Sequence, residues 1–183
     1  GRILYLDLLD DTSWEGVIEA RPDLAIAFFG ISKLDQCETD PTSREINASR
    51  VPELLAKLAT SGCRVVLLST NSIFGGDRML CDEDAQVEPK ISYSMQKHEA
   101  ELRLRELLGD ASYAVVRITR TISAELPPFD GWLRDLRASK PVEAFDDFIF
   151  APITVPYVAG GLMRIALCGQ NGIFHLSGTD VSY

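Results

Sequence analysis

Val65-Val66-Leu67-Leu68-Ser69-Thr70-Asn71 is the stretch that decides the fold of this 183-residue chain. Four apolar residues in a row are typical of a strand that is buried on both faces. A second run of this kind, Leu24 to Phe29, precedes it, and a third strand is predicted at 113–118. Leucines at helical spacing lie between the runs, at 54–58 and again at 102–108. This alternation predicts an α/β fold in which helices flank a parallel sheet.

The two ends of the chain differ from this middle part. Arg2 and the four apolar residues that follow it, at positions 3–6, predict a short first strand over residues 2–6. Beyond Arg120, prolines interrupt short segments, and a helix at 157–167 and a strand at 173–176 are the clearest elements. We expect the C-terminal third to form a small mixed lobe that packs on the sheet.

Composition and charge narrow the range of functions. The formal net charge is −9, which argues against a broad basic face for nucleic acid but leaves room for a local basic pocket. The longest apolar run has six residues, so no membrane span is predicted. No two of the four cysteines form a C-x-x-C pair, and neither histidine lies near two cysteines in the sequence. We therefore predict no metal site, and free thiols favour a cytoplasmic location.

The residues that carry chemistry follow the central strand. Tyr93 and Lys97 are four apart on a predicted helix, so they share one face, and the ammonium is expected to lower the pKa of the phenol. Such a phenol can donate a proton near neutral pH. Ser69, Thr70 and Asn71 lie where the predicted strand ends, which is the edge where open parallel sheets bind ligands. Thr70 and the Tyr-Lys helix can thus converge on one carbonyl oxygen.

Each of these features also has an ordinary structural interpretation. A tyrosine and a lysine four apart occur by chance on many solvated helices. The Ser-Thr-Asn sequence favours turns wherever it occurs. Only the combination of strand end and helix favours a catalytic site.

As a set, these residues resemble the extended short-chain dehydrogenase/reductase family, and within it the dTDP-4-dehydrorhamnose reductase-like, sugar nucleotide-binding branch. The resemblance extends over nearly the whole chain. The segments that carry it are Arg21-Pro22-Asp23, Asp35 with Glu38, Asn47, the string from Ser69 to Gly76, Glu83-Asp84, Pro89, Tyr93 and Lys97 with Glu101, Val116-Arg117, and the string from Gly172 to Gly178. It implies a Rossmann-like fold, with 1–120 as a partial NAD(P)-binding domain and 121–183 as a partial substrate-binding lobe.

The resemblance implies an oxidoreductase that uses NADP or NAD to reduce a keto group on a nucleotide sugar. Tyr93 would protonate the ketone oxygen, and Thr70 would polarise the carbonyl. Lys97 would hold the nicotinamide ribose and lower the pKa of Tyr93. A homodimer is an assembly that the resemblance allows.

The same resemblance assigns the binding residues. The residues implied for the cofactor are Asp7 and Leu8 at its adenine end, then Phe29, Gly30, Ile31 and Ser32, together with Tyr93 and Lys97. The residues implied for the substrate are Thr70 and Asn71. Arg120 stands near a position where the family has an aromatic residue, and it could pair with a substrate phosphate or carboxylate or lie on the surface.

Two further departures from the family pattern bear on cofactor binding. The Gly-rich turn that cradles a pyrophosphate is not found, so we expect about one βαβ unit, on the order of 30–40 residues, to be missing from the sequence as given. Ala27-Phe28-Phe29 replaces the usual Asn-Ala-Ala. The two phenylalanines could stack on the cofactor, narrow or block its site, or simply belong to the core.

Two alternative functions stay open at this stage. A nucleotide-sugar epimerase or dehydratase shares the scaffold, but Asn71 and Ser72 are not the usual Asp/Glu pair beside the threonine. A non-catalytic, cofactor-binding regulatory subunit is the other alternative, because one fold hosts many functions.

Overall fold

Strands and helices alternate along the described part of the chain. The computed structural model describes residues 2–109, 112–123, 129–143, 149–179 and 181–182. The strands are β1 (Leu24–Ala27), β2 (Arg64–Thr70), β3 (Tyr113–Ile118), β4 (Thr121–Ile122), β5 (Ile149–Phe150), β6 (Ile153–Thr154), β7 (Gly172–Leu176) and β8 (Val181–Ser182). The α-helices are α1 (Glu15–Glu19), α2 (Leu34–Thr39), α3 (Pro41–Arg44), α4 (Val51–Thr60), α5 (Ser92–Leu108), α6 (Phe129–Arg137) and α7 (Val155–Leu167). Two 3₁₀ turns, Asp11–Trp14 and Asn71–Phe74, and a π-helical turn, Glu45–Arg50, complete the set.

Four strands form the central sheet, in the order β1-β2-β3-β7, and every neighbouring pair is parallel. Parallel neighbours need long crossover connections, and α4, α5 and α7 lie within these connections. The predicted α/β fold, a parallel sheet flanked by helices, is confirmed.

The alternating side chains of β2 build both halves of the core. Val65 and Leu67 belong to the cluster that contains Leu54 of α4 and Leu104 of α5, whereas Val66 belongs to the cluster of α7 on the opposite face. All five side chains are completely or almost completely buried. Burial of each contributes about 1.5–3 kcal/mol relative to exposure. The apolar run thus reads as a strand buried on both faces because helices cover both faces.

The predicted strand at residues 2–6 is wrong. This segment has no regular structure, and Ile3 is 97% exposed. A strand needs a neighbour for its backbone hydrogen bonds, and none pairs with residues 2–6 within the described chain. The segment is instead fixed at Asp7, whose N–H donates to Ser13 Oγ at 2.9 Å and whose carbonyl accepts from Trp14 Nε1 at 3.0 Å.

The first strand ends two residues earlier than predicted. Phe28 is 64% and Phe29 37% exposed, so the interpretation of these two side chains as core is wrong. Both follow Ala27, which is the last residue of β1 and is buried. Gly30 then turns the chain with φ of +139°, a conformation that side-chain-bearing residues rarely adopt.

A π-helical turn joins α3 to α4. Proline removes one backbone donor and crowds the carbonyl four residues earlier, and Pro52 stands directly after this turn, in the first turn of α4. The wider turn accommodates the proline without ending the helical run. It also carries Asn47, which is 3% exposed, towards the carboxyl end of the sheet.

The C-terminal part combines a strand of the central sheet with small accessory pairs. β7 extends the main sheet, while β4 pairs with β6 and β5 with β8. Helix α6 was not predicted, and α7 begins at Val155, two residues before the predicted start. Gly161 of α7 lies so close to β7 that an added Cβ would come within 2.7 Å of Leu176. The division of the chain at residue 120 stays a prediction.

No helix within the described residues has the length and apolar character that a membrane crossing requires.

Truncation of a leucine in α5 is expected to depend on which face it occupies. Leu104 is fully buried, whereas Leu107 on the same helix is 39% exposed. Leu104→Ala should lower the free energy of unfolding by about 2–5 kcal/mol, and the matched control Leu107→Ala by about 1 kcal/mol or less, in urea titrations. Equal losses would contradict this assignment of the core.

Candidate functional site

The carboxyl ends of β1, β2 and β3 surround a cleft of about 230 Å³. Its lining residues are Ala27, Phe28, Phe29, Gly30, Ile31, Ser32, Asn47, Leu68, Ser69, Thr70, Asn71, Tyr93, Lys97, Ile118, Thr119 and Thr121. Side chains from the strand ends and from α5 therefore meet at the edge where parallel sheets bind ligands.

Thr70 stands at the floor of the cleft because β2 ends there. Its Oγ1 accepts from the N–H of Ser72 at 3.2 Å and thereby caps the 3₁₀ turn that follows. It also lies 3.0 Å from Ser72 Oγ, which lies 2.7 Å from the buried Ser94 Oγ of α5. This chain of hydroxyls connects the strand end to the helix that carries Tyr93.

Tyr93 and Lys97 reach the cleft from the first two turns of α5. The helix begins at Ser92, whose N–H and hydroxyl both donate to the Glu38 carboxylate, at 2.9 and 2.7 Å. These two hydrogen bonds lower the pKa of Glu38 and keep a negative charge at the helix N-terminus, where the helix dipole favours it. Glu38 was part of the resemblance but had no role assigned, and the structure gives it one.

The pKa values of Tyr93 and Lys97 are set mainly by burial, which differs from the expectation that Lys97 lowers the pKa of Tyr93. Burial raises the pKa of Tyr93, with a smaller contribution from Cys37, so the predicted lowering by Lys97 is wrong for the protein alone. Burial also lowers the pKa of Lys97 to about 8, and the carboxylate of Glu101 opposes that change. Desolvation disfavours the charged form of each group and is the largest cause of both pKa changes.

Asn47 holds the opposite wall of the cleft in place. Its Oδ1 accepts from the N–H of Ile31 and its Nδ2 donates to the carbonyl of Ile31, both at 2.8 Å. Nδ2 also donates to Gln96 Oε1 of α5 at 2.8 Å. A Cβ at Gly30 would lie 2.8 Å from Asn47 Oδ1, so this close approach requires glycine. Asn47 thus connects the cleft wall that follows β1 with helix α5.

Eight of the eleven predicted site residues line the cleft. They are Phe29, Gly30, Ile31, Ser32, Thr70, Asn71, Tyr93 and Lys97. Asp7 and Leu8 are not part of the lining: the Asp7 carboxylate accepts from the N–H of Leu9, and the Leu8 carbonyl accepts from Arg50 Nε. Arg120 is exposed, between the lining residues Thr119 and Thr121, and its carbonyl accepts from the N–H of Ile153.

Sequence reasoning placed Ser69 at this edge but assigned no role to three other polar lining residues, Asn47, Thr119 and Thr121. Thr119 and Thr121 could have been found, because they follow the predicted strand at 113–118 at the same edge of the sheet. Asn47 carries part of the family resemblance, but its partner Ile31 is 16 residues away, a contact that no local pattern reveals.

The described residues contain no cluster of metal ligands, and burial works against ionisation of the Cys37 thiol. Within the described residues, no group of three or more His, Cys, Asp and Glu side chains could hold a metal ion. Cys37 is buried in α2, where burial raises the pKa of its thiol.

The fold and the cleft define a Rossmann-like α/β protein with an open cleft at the carboxyl edge of its sheet. More specifically, the chain belongs to the family described as RmlD substrate binding domain, which matches residues 4–182. The resemblance to dTDP-4-dehydrorhamnose reductases within the extended short-chain dehydrogenases/reductases is thereby confirmed. A search of curated proteins gave no match.

Solved structures share the fold at low sequence identity. A dTDP-4-dehydrorhamnose reductase from Bacillus anthracis in complex with NADP is 24% identical with a TM-score of 0.87, over 97% of this chain and 64% of that one. A hypothetical dTDP-4-dehydrorhamnose reductase from Sulfolobus tokodaii is 24% identical with a TM-score of 0.87, over 100% and 66% of the two chains. A UDP-glucose 4-epimerase from Thermotoga maritima with UDP-glucose is 16% identical with a TM-score of 0.83, over 97% and 63%. The chain thus spans about two thirds of the length of these proteins.

Replacement of Lys97 by Met is expected to stabilise the folded protein at neutral pH. The pKa of Lys97 is about 8 in the folded protein against 10.5 ordinarily. A lysine whose pKa falls on folding destabilises the folded state fully below pH 8, and this effect fades as the pH rises towards 10.5. Lys97→Met should therefore raise the free energy of unfolding by about 2 kcal/mol at pH 7 and by less at pH 10, in urea titrations.

The exposed Lys33 provides the control for this measurement. Lys33→Met should change the free energy of unfolding by about 0.5 kcal/mol or less at either pH. A Lys97→Met gain that is the same at pH 7 and pH 10 would show that Lys97 is not desolvated.

Proposed function

We propose that the protein is an NAD(P)H-dependent reductase that reduces a keto group on a nucleotide sugar, like dTDP-4-dehydrorhamnose reductase. The observation that carries this proposal is the convergence of Thr70, Tyr93 and Lys97 on one cleft at the carboxyl edge of a parallel sheet. These three residues provide a hydrogen-bond donor, an acid and a cation in one cleft, and these are the groups that carbonyl reduction requires.

The residues of the cleft suit the chemistry of a nicotinamide dinucleotide. The donor set combines the Lys97 ammonium with the hydroxyls of Tyr93 and Thr70, and these can hold a ribose and a carbonyl group. Backbone groups of Gly30 and Ile31 form the opposite wall, and the Asn47 side chain holds this wall from the side where a Cβ of Gly30 would lie. When bound, the cofactor supplies a hydride to the carbonyl carbon of the substrate.

The protein's own residues handle the proton and the developing charge. The raised pKa of Tyr93 keeps its hydroxyl protonated at neutral pH, so it can donate a proton to the carbonyl oxygen. Thr70 donates a hydrogen bond to the same oxygen and polarises the carbonyl. Lys97 holds the nicotinamide ribose, and its charge stabilises the phenolate that Tyr93 becomes.

Cofactor and substrate are proposed to occupy different sides of the cleft. Phe29, Gly30, Ile31 and Ser32 are the proposed cofactor wall, and Asp7 with Leu8 are proposed for the adenine end. Asn71 and Arg120 are proposed for the nucleotide sugar. Arg120 is exposed beside two lining residues, a suitable position for a cation that meets a diphosphate. The homodimer and the cytoplasmic location stay predictions.

The alternatives are less well supported by the cleft. A dehydratase or epimerase mechanism of the kind considered above needs further acid/base groups, and among the described lining residues there is no Asp or Glu. A regulatory subunit without catalysis would not require Thr70, Tyr93 and Lys97 to share one cleft.

Removal of the Tyr93 hydroxyl tests the proposed acid. The wild-type protein should oxidise NADPH in the presence of dTDP-4-dehydrorhamnose, and Tyr93→Phe should lower kcat at least about 100-fold, because proton donation typically contributes 10²–10⁴. Tyr157→Phe, at a 53% exposed tyrosine outside the cleft lining, should leave kcat unchanged. Tight NADPH binding by a wild-type protein without turnover would refute the reductase and favour the regulatory subunit.

Replacement of Arg120 tests the proposed substrate contact. Arg120→Gln should raise KM for the nucleotide sugar about tenfold through loss of a charge-assisted hydrogen bond, and leave KM for NADPH unchanged. Arg105→Gln, at an exposed arginine of α5 outside the cleft lining, is the matched control and should change neither constant. An unchanged KM for the sugar in Arg120→Gln would remove Arg120 from the site.

A further inference from the structure

A row of three polar side chains lies directly beneath the cleft. Ser69 of β2, Arg117 of β3 and His175 of β7 are register partners across the sheet. Ser69 directly precedes Thr70, and Arg117 and His175 directly precede the residues that are in register with Thr70. Because side chains alternate along a strand, all three point to the opposite face of the sheet from that of Thr70.

Glu101 of α5 ties this row to the helix. Its carboxylate accepts from Arg117 Nη2 at 2.8 Å and from Arg117 Nε at 3.2 and 3.3 Å, and also accepts from Ser69 Oγ. The side chains of Arg117 and Glu101 are 3% and 5% exposed. Glu101 follows Lys97 by one helical turn, so a single carboxylate connects the helix of the Tyr-Lys pair to the residue before Thr70.

Arg117 in turn fastens the elements around the pair. Its Nη1 donates to the carbonyl of Glu83 at 3.3 Å and lies 3.4 Å from His175 Nε2. The Glu83 side chain accepts from the N–H of His175 at 3.0 Å, and the guanidinium lies 5.4 Å from the ring of Phe74. The Arg117 guanidinium thus contacts Glu83, His175 and Phe74 as well as Glu101. These contacts fix the position of the guanidinium and, with it, the position of the Glu101 carboxylate.

We propose that Glu101 is a positioning residue for the carbonyl reduction, which holds α5 against the end of β2 so that Tyr93 and Lys97 stand in register with Thr70. This inference rests on the proposed function. Apolar contacts such as those of Leu104 attract the helix to the sheet without direction, whereas a buried carboxylate with two partners fixes one axial position.

The charges around Glu101 give the positioning a measurable consequence. Among the described residues, the charged or titratable groups that face Glu101 are Lys97, His98 and Arg117. His98 Nδ1 lies 3.8 Å from the Glu101 carboxylate, and Glu83 and His175 lie beyond Arg117. The carboxylate also raises the pKa of Lys97 against the effect of burial. Loss of its charge therefore makes the Lys97 ammonium easier to deprotonate.

Glu101→Gln is the principal test, because glutamine keeps the shape and an oxygen acceptor but removes the charge. The variant should fold, lower kcat about tenfold or more and change KM for the sugar about threefold or less. The alkaline limb of its kcat–pH profile should move to lower pH. Glu99→Gln removes the same charge from the same helix at the exposed Arg44 pair, and should leave kcat and the profile unchanged.

Two further measurements keep the inference decidable. Ser69→Ala removes only one partner of Glu101, so it should fold even where Glu101→Gln does not, and should lower kcat with little change in thermal stability. An NMR titration of Lys97, assigned with Lys97→Arg, needs no turnover, and its midpoint should fall in Glu101→Gln but not in Glu99→Gln.

The outcomes separate the two hypotheses. A wild-type protein without turnover would refute the proposed reductase. An unchanged Lys97 midpoint in Glu101→Gln would overturn the positioning role whether or not the protein turns over. Lower stability of Glu101→Gln with unchanged kcat and pH profile would likewise overturn it, because Glu101 would then be structural only.

Discussion

The carboxyl edge of the central sheet is the constraint on which the rest of the structure depends. Because β1, β2 and β3 run parallel, their ends stop on one side and leave a cleft that no single strand could form. The site then needs α5 at a defined height above that edge. Two residues of α5 make the polar contacts that set this height. Gln96 accepts a hydrogen bond from Asn47, and Glu101 accepts hydrogen bonds from Ser69 and Arg117. Apolar burial assembles the layers, and these directional contacts align them.

The sheet could be predicted from the sequence because its signal is local. Val65 to Leu68 is apolar at every position only because α5 and α7 cover opposite faces, and the run records that burial directly. The failure at residues 2–6 has the same origin. An apolar extended segment becomes a strand when a neighbour accepts its hydrogen bonds, and the segment itself carries no information about that neighbour. The exposed Phe28 and Phe29 show a similar limit, since hydrophobic type does not decide burial at a strand end.

The candidate site was predictable to the extent that its residues follow short-range rules. Tyr93 and Lys97 share a helix face at four-residue spacing, and Thr70 ends a predicted strand, so all three were found. The supporting contacts were not, because they join residues far apart in sequence. Glu101 and Ser69 are separated by 32 positions and Asn47 and Gln96 by 49. The pKa of Tyr93 was predicted in the wrong direction for a related reason: helical spacing reports proximity to Lys97, whereas desolvation depends on the whole surrounding structure.

Burial of Lys97 indicates how stability and function are balanced at this edge. A desolvated ammonium destabilises the fold, and a core built for stability alone would place an apolar side chain there. The chain instead places Glu101 one turn away, which restores part of the lost charge stabilisation and is itself neutralised by Arg117. Glu101 is therefore shared between a structural ion pair and the electrostatics of the cleft. Such sharing couples the two, because any change that frees Arg117 from Glu101 also alters the charge that Lys97 experiences.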